Sequence, residues 1–84
     1  MTERRYGLTI EADIHGMTRD EARDALLRLL DRAPKDITEI VVIHGCNGGT
    51  TLQGMVRRGL SHPRILQKQI SMNNGQTSLI LRRL

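Results

Sequence analysis

The run Ile40-Val41-Val42-Ile43 constrains the fold more than any other stretch of the chain. Four consecutive β-branched apolar residues describe a strand buried on both faces. The run breaks at once into His44, Gly45, Cys46, Asn47, Gly48 and Gly49. Thr50 and Thr51 follow, and a helical periodicity begins at Leu52. Strand, glycine loop and helix start form an arrangement in which backbone N–H groups converge on an anion. Gly45, Gly48 and Gly49 let the backbone approach a ligand and adopt positive φ. A tight turn required by topology alone is the plainer reading. The Gly-Lys-Ser/Thr ending of a P-loop is absent.

A second strong signal precedes this one. Thr18-Arg19-Asp20-Glu21 reads as a capping box. Ala22, Ala25, Leu26, Leu29, Leu30 and Ala33 then recur on one helical face, and Pro34 closes the helix. Before the box, Leu8, Ile10, Ala12 and Ile14 alternate with Thr9, Glu11 and Asp13, which predicts a half-buried strand ending at a His15-Gly16 turn. Strand, helix, strand with tight links reads as a βαβ unit with parallel strands. Parallel strands finish at the same sheet edge, so Asp13 and His15 are expected beside His44 and Gly45.

The remaining elements are weaker. A second helix is expected from Thr50 or Thr51 to Ser61-His62-Pro63, with Leu52, Met55, Val56 and Leu60 buried. Gly54 and Gly59 each weaken it by roughly 1 kcal/mol relative to Ala. Residues 65–72 predict a strand anchored by Leu66 and Ile70. Asn73-Asn74-Gly75-Gln76 predicts a hairpin turn into a last strand, Thr77 to Arg82. Residues 1–6 are expected to be a flexible leader. The fold predicted for residues 1–84 is a single α/β domain, a two-layer sandwich in the order β-α-β-α-β-β. It has a mixed four-stranded sheet and two helices on one face.

With 84 residues, no Trp, no Phe and one Tyr, the core must be built from Leu, Ile, Val, Ala and Met. The single cysteine excludes an internal disulfide and points to a reducing compartment. With no secretory signal and no apolar run of membrane length, a cytoplasmic chain without a membrane partner is expected. Residues 1–42 hold seven Lys/Arg against nine Asp/Glu, whereas residues 43–84 hold six Lys/Arg and no acid. That imbalance points to a polyanionic partner, with a solvated basic face as the alternative. Arg57, Arg58, Arg82 and Arg83 are candidate phosphate contacts that carry no base readout.

Asp13 near His15 is a pairing that can bind a divalent cation or orient an imidazole as general base. Capping of the turn by the Asp13 carboxylate is the alternative. His44 is the expected neighbour of His15 and a second acid/base or phosphate-binding candidate, with hydrogen bonding to its own loop as the alternative. His62 is expected at a helix end.

Two motifs in this order resemble the small MutS-related (Smr) domain. The first is Ala12-Asp13-Ile14-His15-Gly16 followed by the capped helix. The second is Val42-Ile43-His44-Gly45-Cys46-Asn47-Gly48-Gly49-Thr50 followed by Leu52 and the Val56-Arg57 pair. The closing turn and strand, Asn73-Asn74-Gly75 and Thr77 to Leu81, complete a resemblance from about Leu8 to Leu81. Ala12 stands where the family has a bulky Leu, and Cys46 where it often has a basic residue.

The resemblance implies a fold similar to the C-terminal domain of translation initiation factor 3. It implies a DNA or RNA partner, with metal-assisted nicking of structured or branched substrates as the associated activity. Asp13, His15 and His44 would do the chemistry, with Asp13 also holding Mg²⁺ or Mn²⁺. Gly45, Asn47, Gly48, Gly49, Thr50, Arg57, Arg58 and Arg82 would hold the phosphates. Non-catalytic binding to nucleic acid or the ribosome, and a protein-interaction role, are the alternatives; a homodimer or larger assembly is compatible with each.

Overall fold

In the computed structural model, which describes residues 1–45 and 50–83, the βαβ unit is present as expected. Strand β1 is Thr2–Tyr6 and β2 is Thr9–Asp13; helix α1 is Arg19–Arg32 and β3 is Glu39–Ile43. A short α2, Thr51–Gly54, runs directly into a turn of π-helix, Met55–Gly59, and is followed by β4, Ile65–Ile70, and β5, Gln76–Leu81. β2 and β3 are parallel, with Asp13 opposite Ile43. The sheet has five strands in the order β1-β2-β3-β5-β4, and its other pairings are antiparallel.

The additional strand is β1, in the segment expected to be a flexible leader. Thr-Glu-Arg-Arg-Tyr has no apolar alternation, and all five residues are exposed. The strand is held instead by its ladder to β2 and by ion pairs from its helix-side residues. Glu3 pairs with Arg32 on α1, and Arg5 pairs with Asp36 at 2.9 Å. Gly7 turns the chain back into β2 with φ +59°, a conformation in which glycine has no Cβ to clash.

α1 forms for the reasons its sequence gives. Thr18 Oγ1 accepts from the Glu21 N–H at 3.2 Å, and Glu21 Oε1 accepts from the Thr18 N–H at 3.1 Å. Both bonds satisfy donors that a helix start leaves unpaired. Its buried face, Ala22, Leu26, Leu29 and Leu30, meets Ile10, Ala12, Ile14, Ile40, Val42, Leu79 and Leu81 from the sheet. Met55, Val56 and Leu60 of the second helical segment complete the same cluster. Both helices therefore lie on one sheet face. On the other face Glu11, Val41, Ile43 and Ser78 are half-buried. β3 is thus covered on one side only, and the β-branched run marks the centre of the sheet without marking a second layer.

β4 departs from expectation in its anchors. A bulge between Ile65 and Gln67 places Ile65 opposite Leu81 and Lys68 opposite Leu79, on the helix side. Leu66 and Ile70 remain 52% and 67% exposed on this outer strand.

Two basic residues from this region close the helix ends. Buried Arg64 donates to the carbonyls of Ala33 and Pro34 beyond α1. Lys68 Nζ donates to the carbonyls of Arg57 and Leu60, and burial lowers its pKa. Cations suit the negative ends of helices. These two charges thus have structural partners, and the basic excess available to a polyanion is smaller than the count over residues 43–84 suggests. No helix among the described residues is long and apolar enough to cross a membrane.

Candidate nucleic-acid interface

Parallel pairing of β2 and β3 brings three connections to one edge: residues 14–18, the turn at His44 and Gly45, and the 71–75 hairpin. Ile14 N–H donates to the Ile43 carbonyl at 2.9 Å. The Gly75 carbonyl accepts from the N–H groups of both His44, at 2.9 Å, and Gly45, at 3.1 Å. Gly75 is held in turn by Asn73, whose Oδ1 accepts its N–H at 2.9 Å. A Cβ on Gly75 would approach Asn73 Oδ1 to 3.2 Å and the Gly45 Cα to 3.6 Å. Gly45 has φ +78°, a conformation that favours glycine, whereas at Gly75 the tight neighbour is the Asn73 side chain.

Asp13 and His15 meet as expected. Asp13 Oδ1 lies 2.5 Å from His15 Nδ1 and accepts the His15 backbone N–H at 3.1 Å. The carboxylate accepts from Nδ1–H, which leaves Nε2 as the basic nitrogen of the neutral ring. The ring is 72% exposed. Partial burial is the largest single influence on the Asp13 carboxyl and pushes its pKa up. The ring and backbone hydrogen bonds from His15, with the ring's charge, together outweigh burial and hold the pKa below its ordinary value.

His44 reaches the same edge from the other side of the sheet. It continues the buried alternation of Ile40 and Val42 and is only 4% exposed. Its Nε2 lies 2.9 Å from Thr77 Oγ1, and its Nδ1 lies 3.0 Å from the Gly45 carbonyl oxygen. Both ring nitrogens have protein partners, which is the loop-bonding alternative raised by the sequence. His62, the third histidine, accepts the Arg64 N–H on Nδ1 and lies 2.7 Å from Asp31 on Nε2.

The expected phosphate contacts divide. Asn47, Gly48 and Gly49, with Cys46, lie outside the described residues. Thr50 is the exposed N-cap of α2 and makes no side-chain capping bond. Arg58 is exposed and lines a shallow cleft of about 380 Å³ with Arg19, Thr50, Thr51, Gly54, Met55 and Gly59. Arg57 is half-buried, with Nε donating to Thr77 Oγ1 at 2.9 Å and Nη2 to the Gln76 carbonyl at 3.2 Å. Arg82 is exposed and its Nε donates to the Pro63 carbonyl at 3.1 Å.

Arg19, Gly75 and Thr77 read in the sequence as parts of a cap, a turn and a strand, with no role at the site. Arg19 follows the Thr18 cap directly, and a helix that starts just past β2 starts at this edge, which is the signal that could have found it. Thr77 shares the alternation of Leu79 and Leu81, a pattern from which its burial could have been read.

No group of three or more His, Cys, Asp or Glu side chains suited to a metal ion occurs among the described residues. Magnesium is commonly held by one or two carboxylates completed by phosphate oxygens and water. Asp13 fits that pattern, because its Oδ1 takes both described His15 contacts and Oδ2 faces no described partner.

A mixed five-stranded sheet with helices on one face, and with polar groups gathered at the carboxyl edge of its parallel pair, defines an α+β two-layer domain. The family is shown directly. The family model of the Smr domain matches residues 12–77, and the chain belongs to that family, one associated with nucleic-acid binding. The fold is similar to the crystal structure of the Smr domain of Thermus thermophilus MutS2, with a TM-score of 0.76 and 24% identity. That match covers 86% of this chain and 96% of the other. No curated protein matches the sequence.

Proposed function

We propose that the chain binds the phosphodiester backbone of structured or branched DNA or RNA at this edge, and nicks it with the Asp13–His15 pair. The observation that carries the reading is the exposed His15 ring whose Nδ1 is held 2.5 Å from the Asp13 carboxylate. That contact fixes the tautomer and leaves Nε2 facing solvent as a general base. Nε2 takes a proton from the attacking water as its oxygen bonds to phosphorus. The phosphorus–oxygen bond to the leaving group breaks, and the protonated ring can return the proton to the departing oxygen. Asp13 stabilises the imidazolium that forms in between. Asp13 Oδ2, together with phosphate oxygens, would hold Mg²⁺ or Mn²⁺. Such an ion, when bound, neutralises charge on the phosphate. Arg19, Arg58 and the hydroxyls of Thr50 and Thr51 supply the adjacent backbone contacts.

A nicking assay on branched DNA and on structured RNA with Mg²⁺ or Mn²⁺ tests the reading. The expected result is cleavage by the wild type and its loss in both Asp13→Ala and His15→Ala. Undiminished cleavage in both variants would overturn the catalytic assignment. The second reading, binding without cleavage, is favoured by the 3.1 Å bond from the His15 backbone N–H to Asp13, which suits a turn-forming carboxylate. It predicts salt-dependent binding and no nicking under any metal condition.

A further inference from the structure

Arg57 and Arg58 are neighbours in sequence and carry the same charge, but their surroundings differ. Arg58 is exposed in the cleft. A Cβ on Gly54 would come within 2.8 Å of the Arg58 Nη2, so its guanidinium lies across that glycine. Arg57 is half-buried and directs its donors inward, to Thr77 Oγ1 and the Gln76 carbonyl.

The Arg57 contact is the first link of a buried polar chain. Thr77 Oγ1 meets His44 Nε2, and His44 Nδ1 meets the Gly45 carbonyl. The last link sets the direction of all the others. A carbonyl only accepts, so Nδ1 carries the hydrogen. In the neutral ring Nε2 then accepts from the Thr77 hydroxyl, whose oxygen accepts from Arg57. Each donor in such a chain polarises the next, and the effect is largest away from water. Thr77 is fully buried and His44 nearly so.

The chain ends on Gly45, which faces His15. Gly45 is held by its carbonyl through His44 and by its N–H through the Gly75 carbonyl. A Cβ added to Gly45 would stand 3.8 Å from the His15 Cβ, so Gly45 faces His15 and leaves open the space that a side chain there would fill.

We propose that Arg57 is a positioning residue: acting through Thr77 and His44, it fixes Gly45 in place facing His15 and does not itself contact bound phosphate. Moving its guanidinium to a phosphate would strip the Gln76 carbonyl and the Thr77 hydroxyl of a donor in a partly dry setting, which buried acceptors tolerate poorly. This positioning rests on the reading of His15 as the working imidazole. It assigns the two adjacent arginines to different tasks, one to the fold of the site and one to the ligand.

The test compares Arg57→Ala, Thr77→Val, Thr77→Ser and Arg58→Ala in isotope-labelled full-length chain. Two quantities are measured: the NMR signals of the His15 ring and the Gly45 amide, and the salt dependence of binding to a branched DNA oligonucleotide. Arg57→Ala and Thr77→Val are expected to shift the His15 and Gly45 signals and to leave the slope of log K against log salt unchanged. Thr77→Ser keeps the hydroxyl and is expected to retain the wild-type signals. Arg58→Ala is expected to lower the slope by about one, the loss of a single phosphate contact, without moving the His15 ring. A slope reduced by about one in Arg57→Ala overturns the proposal, as do His15 signals that stay in place in Thr77→Val. Thr77→Val preserves the charge and shape around Arg57, so it decides the matter even where Arg57→Ala unfolds. Absence of salt-dependent binding by the wild type would defeat the nucleic-acid reading, while the His15 and Gly45 signals would still decide the role of Arg57.

Discussion

His15 and His44 sit at the same sheet edge, each just past the end of a parallel strand, and they differ in nearly every physical respect. The His15 ring is 72% exposed and tied through one nitrogen to a carboxylate. His44 is 4% exposed and both of its nitrogens are engaged, by a hydroxyl and a backbone carbonyl. The first arrangement leaves a basic nitrogen facing solvent. The second uses an imidazole as a polar strut. Strand pairing can bring two histidines together; only the side of the sheet to which each side chain turns decides whether it can meet a ligand.

The largest expected contrast is in chemistry. His15→Ala should reduce metal-dependent nicking by at least about 100-fold, the usual contribution of a positioned general base. The melting temperature should barely change, since an exposed substitution typically shifts stability by about 0.5 kcal/mol or less.

Stability should show the reverse order. His44→Ala opens a cavity and leaves the Gly45 carbonyl and the Thr77 hydroxyl short of a partner. A loss of about 2–3 kcal/mol follows, read as a drop in melting temperature of roughly 10 °C or more for a domain of this size. A His44 variant as stable as wild type would break the comparison.

Smaller effects sharpen it. Arg19→Ala should lower the salt slope of binding by about one without altering the His15 ring signal, which would extend the phosphate contacts from Arg58 to the start of α1. The pH dependence of stability isolates the Asp13 contribution. The folded-state pKa of Asp13 lies below its ordinary value, so the carboxylate contributes stability that is complete above the unfolded pKa. That contribution is lost as pH falls through the folded one. Thermal melts of wild type and Asp13→Asn should therefore differ most at neutral pH and converge in acid; a constant difference would remove the Asp13–His15 bond from the account.

Much of this arrangement could be read from the residues. The capping box, the α1 stripe and the alternation of Ile10, Ala12 and Ile14 each act locally, so the βαβ unit and its shared edge followed from pattern alone. The fifth strand did not, because Thr2–Tyr6 is held by ladder bonds and by ion pairs to Arg32 and Asp36, neither of which leaves an apolar period. Leu66 was misplaced as an anchor of β4 because a bulge changes which residues face inward, while Ile70 pairs with Thr77 yet stays exposed on the outer strand. Charge was the least transferable signal. Counting six cations in the second half of the chain cannot show that Arg64 and Lys68 close helix ends or that Arg57 turns inward while Arg58 does not. The site of His44 was available in part, since it extends the buried alternation of Ile40 and Val42.

The central claim is that ligand meets His15, while His44 serves the fold. Imidazole NMR signals recorded as a branched DNA oligonucleotide is added, without divalent metal, test it most directly. The account predicts a saturable shift of the His15 ring at the concentrations where binding occurs, with His44 keeping its Nδ1–H tautomer throughout. A change of tautomer at His44 together with an unmoved His15 ring would contradict it.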